Sequence, residues 1–169
     1  IFMKWSVEEK EAIGIHEVIF DDSNKKDEAW YINTNQSYAF ANDTVTATYG
    51  IATPKAHADT NATEADGVEL DPVVVIPGLK TKLIKNLKIT VANELAKTDW
   101  YITRNTEKTT AIPSSISTHR DAVRTKQAAQ EAQITGASDT AALETLHTYT
   151  TDANGVQSRP LGTLPTLEI

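Results

Sequence analysis

Four histidines, a serine cluster and an acidic run are the residues with chemistry to offer. His16, His57, His119 and His147 lie far apart in the chain and form no H-E-x-x-H pair, so their spacing predicts no metal centre. Ser114, Ser115 and Ser117 stand close to His119 and Asp121. Along one helix, however, that spacing cannot give a nucleophile, a base and an orienting acid their mutual geometry, and it reads as a serine-rich helix start. Asp59, Glu64, Asp66, Glu69 and Asp71 are oxygen donors of the kind calcium takes, but the register of a calcium loop is missing. Glycine-rich phosphate loops and a G-x-S-x-G elbow are absent as well. The sequence has no cysteine, which removes disulfides, thiolate zinc sites and cysteine nucleophiles. Asn42-Asp43-Thr44 and Asn61-Ala62-Thr63 match glycosylation sequons, close to the chance level in a threonine-rich chain. The expectation is therefore no catalytic residue, no cofactor and no metal.

Charge is unevenly spread along the chain, which reads either as a solvated basic helix face beside an acidic loop or as two blocks that attract. The 169 residues carry a net −7, which argues against broad nucleic-acid binding. From Leu79 to Lys126 ten basic residues face four acidic ones, a net of +6, so the remainder of the chain carries −13. Oppositely charged blocks attract within a chain or between copies. No apolar run is long enough to span a bilayer, and Ile1-Phe2-Met3-Lys4-Trp5 reads as neither signal peptide nor span. Membrane insertion is not expected.

The elements that would position these residues follow from periodicity. Ser6 and Glu9 form a capping box for a helix over Ser6–Ile15, stopped at Gly14. His16 to Phe20 looks extended. Trp30–Ile32, Tyr38–Phe40 and Val45–Tyr49 alternate with period two, predicting an antiparallel β-meander with a hairpin at Ala41-Asn42-Asp43-Thr44. Thr53–Asp71 lacks apolar periodicity and reads as a linker, followed by the extended arm Val73–Ile76 between two prolines. Ile84, Leu87, Val91 and Leu95 mark a helical stripe. A second helix over Trp100–Glu107 takes Asp99 as its cap, a third runs from Ser114 to near Gln133, and a fourth starts at Ser138 or Asp139. Leu161, Leu164 and Leu167 lie in an extended tail and need a surface to cover them. The expected fold class is α+β, with a helix-plus-meander unit (1–52), an acidic linker and arm (53–78), a helical unit (79–150) and an extended tail (151–169).

One set of blocks carries a family resemblance. Leu95-Ala96-Lys97-Thr98-Asp99-Trp100 with Arg104, then Ile112-Pro113, then His119-Arg120-Asp121-Ala122-Val123-Arg124, resembles a segment shared by bacteriophage tail-fibre-associated and tail-assembly proteins. Trp5–Ile15, Lys26–Tyr31 and Arg159-Pro160-Leu161 look similar to small virion-associated phage proteins. His119 departs from the pattern, standing where an aromatic is common. The resemblance implies a non-enzymatic structural protein of the tail or tail-fibre region, located in the virion and partnered by copies of itself or by other tail proteins. Tryptophan and arginine dominate interface energetics, so Trp100, Tyr101, Arg104, Arg120, Arg124, Leu161 and Leu164 are the interface candidates. A tail-fibre assembly chaperone would use the same helical motif. A carbohydrate-binding module would instead present Trp30, Tyr31, Tyr38 and Tyr49.

Overall fold

The computed structural model of the chain describes residues 4–34 and 36–167. It is a mixed α+β protein that divides into two compact units, Ile1–Lys55 and Ala56–Ile169.

The first unit begins with α1 (Val7–Glu11), where Ser6 and Glu9 form the expected capping box. The helix is shorter than its sequence suggested. None of its residues is buried, and so short a helix has little tertiary packing to extend it. Gly14, at φ +80°, turns the chain away. The strands that follow are β1 (Val18–Asp21), β2 (Tyr31–Ile32), β3 (Ser37–Ala41), β4 (Thr44–Thr48) and β5 (Thr53–Pro54). The β3–β4 hairpin forms as expected, with Asn42 and Asp43 both at positive φ, the geometry that matches strand twist across a two-residue turn. The rest departs from an antiparallel meander. β1 joins β4 in parallel, giving a sheet of order β1-β4-β3. Trp30–Ile32 leaves that sheet, and β2 pairs with β5 instead.

The register places Val18, Phe20, Tyr38, Phe40, Val45 and Ala47 on one sheet face. Ala47 is fully buried beneath its neighbours, while Phe20, Tyr38 and Phe40 keep about 60% of their surface exposed. The hairpin turn gives the first test. Asp43 has φ +59°, a conformation that costs a residue with a Cβ more than it costs glycine. Asp43→Gly should raise the stability of the protein by about 0.5–1 kcal/mol in chemical denaturation.

In the second unit the stretch read as a linker carries structure. β6 (Thr60–Asn61) pairs antiparallel with β7 (Val75–Ile76), and Thr63 bridges Glu69 across an excursion turned at Gly67. The foot of this hairpin is tied to α2 (Leu79–Ala96). Gly78 begins the helix with no side chain to cap it, and Asp59 supplies the missing acceptor. Its carboxylate takes hydrogen bonds from the Gly78 N–H (2.8 Å) and the Thr81 hydroxyl (2.7 Å). These two bonds, Thr81's first, hold its pKa below the usual carboxylate value. Gly78 is also required sterically, since a Cβ there would lie 2.3 Å from the Ala58 carbonyl oxygen.

Three further helices complete the unit: α3 (Asp99–Lys108), α4 (Ser114–Gly136) and α5 (Thr140–His147), the last capped by Asp139 as expected. α2 packs along α4, with α3 on α2 and α5 on α4. Leu79, Val91, Ile116, Val123, Ile134, Leu143 and Leu161 form the core. Ile84, expected on the inner stripe, is only half-buried, while Leu79 and Val91 are the helix's buried residues. The chain ends in a small hairpin, β8 (Thr150–Thr151) with β9 (Gln157–Ser158), and a tail that packs on its own unit. The last two residues of the expected tail lie outside the described residues. Among the described residues no helix is long and apolar enough to cross a membrane.

Candidate interface on the helical unit

The helix pair α2–α3 turns within two residues, which crowds the unsatisfied carbonyls of one helix end against the unsatisfied amides of the next. No side chain within this turn caps α3. Thr98 occupies the N-cap position without a capping bond, and Asp99, expected to be the cap, sits in the first turn. A donor for the carbonyl end of α2 comes from α4. Arg120 is buried, and its Nη1 donates to the Leu95 carbonyl (2.9 Å), the Thr98 hydroxyl (2.7 Å) and the Asp99 carboxylate (2.8 Å). That nitrogen has two hydrogens for three acceptors, so one contact is shared. Thr98, itself 1% exposed, also donates to the Leu95 carbonyl.

Held this way, α3 presents a stacked cluster. The Trp100 and Tyr101 rings lie 3.9 Å apart between centroids, and the Arg104 guanidinium covers Trp100 at 4.6 Å and Tyr101 at 5.3 Å. Arg104 stands four residues after Trp100 and three after Tyr101, the two spacings that bring it beside both rings on the helix surface. Trp100 is 51% exposed and Tyr101 half-buried. Cation–π contact and ring stacking pre-order these side chains before any partner arrives.

The other sequence candidates separate. Leu161 is buried: its N–H donates to the Leu146 carbonyl, and its own carbonyl accepts from the buried Gln130 amide at 3.1 Å. Arg120 and Leu161 thus bind the unit's own interior and present no surface to a partner. Leu164 is half-buried in a cleft of about 370 Å³ between α2, α4 and the tail. Arg124 is exposed and makes only a 3.4 Å contact with Asp121. Compared with protein-family models, with curated proteins and with solved structures, the chain matches none. Of the aromatics that would serve a sugar-binding surface, Trp30 and Tyr31 are buried, and Lys26 covers the Tyr31 ring at 4.5 Å. Only Tyr38 of the four is largely exposed.

Sequence reasoning missed Gln130 and Thr98, because a polar residue gives no periodic signal that it will be buried. His119 is buried too, with Nε2 3.4 Å from the Glu94 carboxylate across the α2–α4 contact. The approach meets the distance of an ion pair but not the alignment of a hydrogen bond, and Nε2 makes none among the described residues. Glu94 also accepts from Lys97, and this bond, more than any other contact, holds its pKa below the ordinary 4.5.

Two tests follow from this geometry. Arg120→Leu removes the buried charged donor shared by the Leu95 carbonyl, the Thr98 hydroxyl and the Asp99 carboxylate, and should cost about 2–3 kcal/mol of unfolding free energy. Asp99→Ala should cost less than about 1 kcal/mol, because its carboxylate is 59% exposed. Equal losses would mean that the ion pair, rather than the carbonyl and hydroxyl contacts, holds the turn. For Glu94, a folded pKa below the unfolded value contributes stability above that unfolded value and loses it as pH falls through the folded one. Denaturation series below pH 4.5 should therefore show a steeper loss in the parent than in Glu94→Gln.

Proposed function

We propose that the chain is a non-enzymatic structural protein of a bacteriophage tail or tail fibre, resident in the virion and assembling with itself or with a neighbouring tail protein. The observation that carries this reading is the stacked Trp100–Tyr101–Arg104 cluster on α3, with half of Trp100 in solvent. It lies within the blocks that resemble phage tail proteins, and it consists of the residue types that anchor interfaces. Arg120, from a later block of the same resemblance, serves the cluster by fixing the helix that bears it. Arg124 and Leu164 border the same unit and are available to a partner's rim.

The reading is tested in two steps. Mass spectrometry of purified particles of the encoding phage should find the chain in the mature virion. A protein abundant in the infected lysate and missing from particles would be an assembly chaperone instead. Trp100→Ala should change monomer stability by about 1 kcal/mol or less, since half the side chain is exposed and its main loss is a surface cation–π contact. The same variant should fail to incorporate into particles. A large drop in monomer stability would return Trp100 to the role of an internal support.

A further inference from the structure

The helical unit carries two exposed surfaces of opposite charge, both edged with apolar side chains. The outer side of α2 presents Lys82, Lys85 and Lys88, and among the described residues none of the three has an ion-pair partner. Beside these lysines a shallow hollow of about 460 Å³ is lined by Thr81, Ile84, Lys85, Lys88, Ile89 and Ala92, with Ile89 51% exposed. The inner side of the same helix is already packed on α4, so this outer face is additional to the core stripe. The second surface is the β6–β7 excursion. Between Ala56 and Leu79 the chain has five acidic residues and no lysine or arginine. Asp59 is spent on capping α2, which leaves Glu64, Asp66, Glu69 and Asp71. Val68, Val73, Val75 and Ile76 in the same excursion are each at least half exposed.

We infer that these surfaces are two halves of one contact: the acidic hairpin of one copy docks on the lysine face of α2 in the next. Complementary charge selects the occupant, because the chain itself carries an acidic, apolar-edged partner for its basic, apolar-edged face. The pairing is between copies, since both surfaces are exposed within a single chain. Its two sides differ, so association runs head to tail and either closes into a ring or continues as a filament. The charges set encounter rate and register, and Ile84 and Ile89 against the hairpin valines supply the apolar part. This specifies the self-assembly within the proposed function and rests on that reading. The presence of the chain in the particle is read separately by mass spectrometry.

A charge swap on the 169-residue chain, followed by sedimentation velocity, tests the contact. One variant is Lys82→Glu, Lys85→Glu, Lys88→Glu, and the other is Glu64→Lys, Glu69→Lys, Asp71→Lys. Asp59 is left intact in both, and circular dichroism confirms that each folds. The parent should associate at about 50 mM salt, with affinity falling about tenfold or more by about 500 mM as screening shortens the reach of the charges. Each variant alone should be monomeric, its two surfaces now sharing one sign. An equimolar mixture should associate again, because each variant then offers what the other lacks. A parent that stays monomeric at low salt overturns the inference, as does a variant that associates like the parent or a mixture that remains monomeric.

Discussion

The buried guanidinium of Arg120 joins three chain segments: the carboxy-terminal carbonyls of α2, the Thr98 turn and the first turn of α3. The Leu95 carbonyl accepts from the Thr98 N–H and hydroxyl, and Arg120 adds a charged donor to it. No residue of the turn itself caps α3. A neutral donor would leave the Asp99 carboxylate without a charged partner. The direction of α3, and with it the outward presentation of Trp100, depends on this contact. Arg120 therefore has a structural role within the helical unit.

The same use of polar clamps recurs across the helical unit. The side chains most completely buried are few (Ile134, Leu143, Val123 and Thr98), and one of these is polar. Gln130 holds the tail by donating to the Leu161 and Gly162 carbonyls. Asp59 holds the acidic hairpin against the start of α2. Each clamp gives backbone groups at a helix end or in the tail a side-chain partner, and leaving a buried group unpaired costs more than the bond itself contributes. A modest apolar core is thus supplemented by directional contacts that fix where the tail and the hairpin lie.

Both units also leave apolar surface uncovered. In the first, Phe20, Tyr38 and Phe40 flank the buried Ala47 and keep their outer faces in water. In the second, Trp100 and Ile89 do so on separate helices. Contiguous exposed apolar surface marks sites of association more often than isolated residues do. The aromatic sheet face, the α3 cluster and the basic face of α2 are three such surfaces, and the proposed assembly would draw on surfaces of this kind.

Local chemistry made many elements legible from the sequence. The Ser6–Glu9 capping box, the Asn42-Asp43 turn, the Asp139 cap and the span of α4 all depend on residues within a few positions of one another. Tertiary contacts decided the rest. Period-two alternation marks a strand but carries no information on its partner, so the parallel pairing of β1 with β4 and the departure of β2 toward β5 were not readable. The acidic stretch lacked apolar periodicity because its strands are only two residues long and exposed on both faces. Within the candidate interface, Trp100, Tyr101 and Arg104 were visible by type and spacing. Arg120 looks the same in sequence as the exposed Arg124, and only the approach of α2 and α3 to α4 buries one and leaves the other in solvent.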